Sequence, residues 1–202
     1  DSFAHVLVVP AASRLQSLAQ LVAEDRAQPG RFTIASSGNG TSPHLTAELL
    51  KQASGLKLVH VPYKGSGPAI ADTIGAQVDM IFTGYPSVAS LLKSGKLRAI
   101  AVSSAARLKE LPQVPTVAEA GFAGVESYIS QGLFAPAGTP RELVTKLNAE
   151  VLRAMRQPDS LERLAQLGID PPEQTADQYA AWIRQATEQW GALIRQAGIK
   201  AE

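Results

Sequence analysis

The run Ser36-Ser37-Gly38-Asn39-Gly40-Thr41-Ser42 carries hydroxyls and pliant backbone, but no nucleophile–base pair and no metal-ligand spacing. A short apolar stretch precedes it and Pro43-His44-Leu45 follows, which reads as strand, loop and helix in succession. Ser42 is the expected N-cap and Pro43 the first helical residue. Gly38 and Gly40 let the backbone turn its N–H groups toward one point, beside the unpaired donors of the helix start. The chemistry this suits is the holding of a small anion, a carboxylate or a phosphate. Asn39 suits a left-handed turn position. The spacing is neither a dinucleotide fingerprint nor a P-loop, which would need its lysine. A plain glycine-rich turn in an α/β unit stays open as the alternative.

Two further loops join a strand to a helix in the same way. In Pro62-Tyr63-Lys64-Gly65-Ser66-Gly67-Pro68, Tyr63 could lie against a ligand, Lys64 could attract an anion, and Ser66 with the Gly67 amide offers a second anion contact. In Phe82-Thr83-Gly84-Tyr85-Pro86, the Thr83 hydroxyl at a strand exit could reach the same cleft. Asp79 alternates with apolar strand residues and is expected to pair with a backbone donor. His44 lies in the first helical turn after the polar loop, where a neutral imidazole could donate to a carboxylate. A structural role for His44 is equally open. His5 and His60 fall within strand patterns and read as packed or edge residues. Histidines at 5, 44 and 60 make no metal spacing, and no serine sits in a nucleophile elbow.

These loops need a scaffold, and the first two thirds of the chain supply alternating elements. Strands are expected at 4–9, 32–36, 56–61, 78–82 and 97–102, with helices at 15–27, 43–53, 68–74 and 86–92. Strands so apolar, separated by helices, imply a sheet covered on both faces and therefore mainly parallel, with right-handed crossovers. Ligands of such sheets sit beyond the carboxyl ends of the strands, where all three loops emerge. Residues 111–115, L-P-Q-V-P, read as a stiff extended connector, and 128–134 as a further strand. Beyond them the pattern turns helical. A helix over 140–155, capped by Thr139, aligns Leu143, Leu147 and Val151; another spans 160–167; a long one spans 176–197. Trp182 and Trp190 share one face of the last helix and are expected in a core.

Composition narrows the function classes. A chain of 202 residues can bury a substantial core, and its net charge of +1 with 5% aromatic residues gives no reason to expect nucleic acid. The absence of cysteine excludes disulfides and thiol chemistry without fixing a compartment. No apolar run reaches membrane-span length. The chain opens at Asp1 with neither initiator methionine nor signal peptide, so a processed product or a fragment is expected.

Five motifs in order, A-S-S-G-N-G-T-S-P-H-L, V-H-V-P-Y-K-G-S-G-P-A, L-K-S-G-K-L-R-A-I-A-V, L-P-Q-V-P-T-V-A-E-A-G and G-L-F-A-P-A-G-T-P, closely resemble the TctC-like, or Bug, extracytoplasmic receptors of tripartite tricarboxylate transporters. The resemblance implies a type II periplasmic-binding-protein lobe (1–134, with crossing strands at its ends) and a C-terminal helical region (135–202) that normally packs partly on a first lobe. Most of that first lobe is expected to be absent from this chain. It also implies a periplasmic location, no catalysis and no cofactor. The expected ligand is a small organic carboxylate (a dicarboxylate, a tricarboxylate or an amino acid) handed to membrane transporter subunits. Carried onto this sequence, the ligand contacts are Ser36, Ser37, Gly38, Asn39, Gly40 and His44, with Tyr63, Lys64, Thr83 and Tyr85 as further candidates. Surface left open by an absent lobe would favour self-association. The alternative from another class is a structural or self-associating domain that binds no ligand tightly.

Overall fold

The computed structural model describes residues 2–200. Thirteen elements follow in the order β1 (Ser2–Pro10), α1 (Leu18–Ala27), β2 (Thr33–Ser36), α2 (Ser42–Ser54), β3 (Val59–Pro62), α3 (Ser66–Ile74), β4 (Met80–Gly84), α4 (Tyr85–Lys93), β5 (Leu97–Val102), β6 (Tyr128–Ser130), α5 (Arg141–Met155), α6 (Pro158–Gln166) and α7 (Ala176–Ala197). The sheet runs β3-β2-β4-β1-β5, with β6 paired to β1.

The expectation of a mainly parallel sheet is overturned. β2 pairs in parallel with β3 and β4, but β1 runs antiparallel to β4, β5 and β6. The first strand is thus inserted against the direction of its neighbours. The physical reason the sequence hides this is coverage. Seven successive residues of β1, from Ala4 to Pro10, are buried, because helices lie over both faces. An antiparallel strand buried on both sides is as uniformly apolar as a parallel one.

Period-two alternation sorts the side chains between two cores. Leu7 and Val9 join Ile34, Met80 and Phe82 under α1 and α2, through Leu18, Leu21, Ala47 and Leu50. Val6 and Val8 join Ala35 and Ile81 under α3 and α4, through Ala69, Ile70, Tyr85 and Val88. The carboxyl ends of β2, β3 and β4 therefore share one edge, and the start of β1 meets them there. At that edge a Cβ on Gly84 would lie 2.4 Å from the Phe3 ring, so glycine is what lets β1 and β4 close. Asp79 accepts from the Thr33 amide and hydroxyl, both at 2.8 Å, and so ties β2 to the start of β4.

Several local expectations shift. Thr41, not Ser42, is the N-cap of α2; Ser42 and Pro43 both lie inside the helix, and no side chain caps it. Pro140 replaces Thr139 as the cap of α5. Residues 111–115 fold into a turn, closed by Val114 N–H donating to the Leu111 carbonyl, rather than an extended connector. The strand expected over 128–134 stops at Ser130.

The last three helices are attached at a few points. Leu193 of α7 is buried in the region where α7 meets α2, Gly168 abuts the Tyr85 ring, and Tyr179 bonds to Ser130 at 3.0 Å. A capping box between Thr175 and Gln178 starts α7. Trp182 and Trp190 are only half-buried, not core residues, and Trp182 stacks on Tyr179. No described helix is long and apolar enough to cross a membrane.

Candidate functional site

β2 delivers the polar loop to the sheet edge, and two glycines let it bend. Gly38 has φ +138° and Gly40 φ +70°, conformations that side chains resist. A Cβ on Gly38 would also press to 3.4 Å from the Tyr63 carbonyl of the neighbouring loop. The two loops are laced together: Tyr63 N–H donates to Ser36 O at 3.0 Å, and Gly65 N–H donates to Ser37 O at 3.2 Å. Thr41 closes the turn from the other side, its hydroxyl donating to Gly38 O at 2.7 Å.

Beneath this loop lies a cluster that sequence reasoning did not assemble. Alternation puts Ser36 of β2 and His60 of β3 on the α2 face, and Ser36 Oγ lies 2.6 Å from His60 Nε2. Gly38 N–H donates to the same Ser36 oxygen at 3.2 Å. His44 stacks on His60, with ring centroids 3.7 Å apart and planes within 8°. Its Nδ1 accepts from Gly40 N–H at 3.0 Å, while its Nε2 faces Glu48 at 3.7 Å. That pairing assigns the Nε2–H tautomer. Burial and the neighbouring His44 push His60 down to about 4. His44, then Lys51, hold the Glu48 carboxyl at about 2, against the opposing effect of its burial.

A second buried network anchors the first turn of α2 from behind. His5, fully buried, sets Nε2 3.2 Å from Ser42 Oγ and Nδ1 3.2 Å from Ser127 Oγ. Thr46 closes the triangle, 2.8 Å from Ser127 Oγ. Burial lowers His5 to about 4, so the ring is a neutral linker between β1, α2 and the segment before β6.

The ten expected contact residues therefore separate. Ser37, Gly38, Asn39 and Gly40 line the half-exposed loop surface. Ser36 and His44 are buried beneath it, acting as brackets. The Gly38 and Gly40 amides, expected to point at a ligand, are turned inward onto Ser36 and His44. The outward donors are those of the helix start, where Leu45 N–H is the first to reach back, onto Thr41 O, leaving the Ser42 and His44 amides directed out of the helix end. Lys64 is exposed beside the loop, and Tyr63 is half-buried, its hydroxyl donating to Asp72 at 2.8 Å. Thr83 and Tyr85 are both buried. Thr83 is 1% exposed within the sheet, on the α3/α4 side. Tyr85 is 3% exposed in the second core, where burial and then Glu110 raise its phenol. What could have flagged His60 is its strand parity with Ser36 in the paired register; nothing local marks the His5–Ser127 contact.

Two grooves lie elsewhere. One of about 460 Å³ runs between α2 and α7, and one of about 790 Å³ follows β5 and Tyr85. Neither groove is lined by residues of the loop, whose surface is half-exposed. No group of three potential metal ligands occurs among them either.

Comparison with known proteins bears on this geometry. Residues 2–199 match the family model described as tripartite tricarboxylate transporter family receptor (TctC). A protein from the tcbD–tcbE intergenic region of Pseudomonas sp. strain P51 is 42% identical over 97% of this chain, which spans 59% of that relative. The R. palustris protein Rpa4515 with adipate superposes with a TM-score of 0.90 at 30% identity, over 98% of this chain and 66% of its own. MatC from Rhodopseudomonas palustris with bound malate gives 0.86 at 29% identity, over 96% and 67%. The chain thus spans about three fifths of the curated relative and two thirds of each solved one.

Proposed function

We propose, on the premise that this chain belongs to the tripartite tricarboxylate transporter family of receptors, that its polar loop forms one side of a small-carboxylate site. The family is one of periplasmic solute-binding receptors and not of enzymes. The observation that carries the reading is the internally hydrogen-bonded loop at residues 36–42. Its internal groups are satisfied by Ser36, Thr41 and His44, while the first amides of α2 face outward at the sheet edge. An anion there gains the helix-start donors without any rearrangement of the loop. Lys64, exposed beside it, adds long-range attraction. Relatives described with adipate and with malate make a dicarboxylate the first class to test. Delivery of the acid to membrane transporter subunits completes the reading. Because the loop surface is half-exposed, the affinity of this chain is expected to be weak.

Calorimetric titration with acetate, malate, adipate and citrate tests it. Saturable binding of the dicarboxylates, weakened at least about tenfold by Gly38→Ala, supports the reading; a tenfold change is about 1.4 kcal/mol. Equal, non-saturating heats for all four acids, unchanged in the variant, would overturn it.

A second reading, a self-associating domain, draws on one specific observation. Leu133 and Phe134 are 83% and 76% exposed, and Leu143 and Leu147 of α5 are about half exposed. Sedimentation velocity decides it: a concentration-dependent dimer abolished by Phe134→Ser supports association, and a monomer at all concentrations refutes it.

A further inference from the structure

We propose that the stacked His44–His60 pair is a positioning element for the carboxylate loop, holding the Gly40 amide through an acceptor that exists only while His44 is neutral at Nδ1, so that carboxylate binding weakens on acidification. The proposal rests on the carboxylate reading of the loop and assigns it a regulation. Its ground is geometric. A histidine ring nitrogen accepts a hydrogen bond only when unprotonated, and His44 Nδ1 accepts from Gly40 N–H at 3.0 Å. Gly40 sits at φ +70°, so the bond fixes a backbone conformation that the chain would otherwise sample among others.

The second ring makes the arrangement a coupled one. His60 lies flat against His44 at 3.7 Å and reaches Ser36 Oγ at 2.6 Å, and Ser36 in turn takes the Gly38 amide. Each of the two loop glycines is thus held by one member of the stack, Gly40 directly and Gly38 through Ser36. Two cationic rings at this separation repel, so protonating one opposes protonating the other. The charged groups facing the pair are Glu48, 3.7 Å from His44 Nε2, and Lys51, which bonds Glu48 at 2.7 Å. Glu48 is already committed to Lys51. It stabilises a proton on Nε2, the nitrogen that leaves Nδ1 as acceptor; a second proton on the ring must therefore go to Nδ1 and expel the Gly40 amide. His44 is 5% exposed and both its ring nitrogens face groups of this chain, so its part in the proposal is that of a positioning residue.

The test separates this proposal from the carboxylate reading. In the ligand-free chain, the Gly40 amide shift and its hydrogen exchange are followed from pH 8 to pH 4, alongside the ring nitrogens of His44. The proposal expects the Gly40 amide to shift and lose protection in step with the His44 ring; a Gly40 amide indifferent to that titration overturns it. Malate affinity is then measured across the same range. His44→Ala is expected to weaken binding about tenfold at pH 7.5, the scale of one lost positioning hydrogen bond. His44→Asn, whose Oδ1 can accept from Gly40 and does not titrate, is expected to recover most of that loss and to remove the protein's part of the acid dependence. The protonation of malate itself is common to all variants and cancels in the comparison. An acid dependence that persists unchanged in His44→Asn overturns the proposal. Failure of the wild-type chain to bind malate or adipate at any pH counts against the carboxylate reading, and the Gly40 titration then decides the positioning role alone.

Discussion

The α/β lobe and the helical region after residue 130 are built from equally clear amphipathic patterns, yet only the lobe buries them. In β1 seven successive residues are buried, whereas the fifteen residues of α5 include none. α6 buries only Leu164 and α7 only Leu193. Periodicity specifies an element and the face it offers. Whether that face becomes a core depends on a partner on the other side. The lobe carries its partners within the chain, in two helical layers over one sheet. The helical region meets the lobe at points that include Tyr85, α2 and Ser130, and leaves Leu143, Leu147, Leu161 and Leu167 exposed. The proposed binding loop belongs to the first kind of region: it is bracketed by Ser36 of β2 and His44 of α2, both buried.

The largest test of this contrast is a pair of equal truncations. Leu7→Ala removes a fully buried side chain from the sheet and is expected to cost about 2–5 kcal/mol in urea unfolding. Leu147→Ala on α5, 51% exposed, is expected to change stability by less than about 0.5 kcal/mol. Similar losses at both positions would mean that the α5 face is covered in solution.

Acid should distinguish the regions next, because all three histidines lie in the lobe. His5 falls from an ordinary value of 6.5 to about 4 on burial. The unfolded chain therefore takes up the proton first. Stability from this group is whole above pH 6.5 and is lost as the pH falls toward 4, by roughly 3 kcal/mol at one unit per 1.36 kcal/mol. His60 adds in the same direction and window, damped by its partial exposure. His5→Gln should flatten the slope of unfolding free energy between pH 6.5 and 4. A wild-type stability that is level across that window would contradict the buried, neutral ring.

Gly38→Ala forces a side chain onto φ +138° beside the Tyr63 carbonyl and is expected to cost about 1–2 kcal/mol, with the damage confined to amides of the two laced loops. Spread of the perturbation to α5 or α7 would show that the regions are coupled more tightly than their contacts suggest. The smallest effect is expected at Arg141–Asp177, an ion pair at 2.6 Å with both side chains about 80% exposed. Arg141→Ala should leave the unfolding midpoint within experimental error, since exposed pairs contribute about 0–1 kcal/mol.

Much of this was legible in the sequence. Glycine, proline and serine at strand ends marked the three loops, and β5, α2 and α7 fell close to their expected bounds. Strand direction was not legible, because β1 is covered on both faces and direction leaves no trace in an apolar run. The roles of ring nitrogens were not legible either. His44 reads as a ligand contact from its place at a helix start, but its partners, Gly40 and His60, come from a turn and from another strand. Tyr85 follows a strand end as a ligand residue would, and only the packing of α4 shows that it points into a core. Trp182 and Trp190 have the spacing of core residues on a helix whose apolar face lacks a full partner.

The loop at residues 36–42 and the start of α2 are proposed as the carboxylate-binding face of this chain. An amide-resolved NMR titration with malate tests it most directly. Saturable shifts are expected, centred on the amides from Ser37 to His44, with α5 and α7 silent. A folded spectrum with no saturable shift there at millimolar malate, or with shifts centred on the exposed leucines of α5, would contradict it.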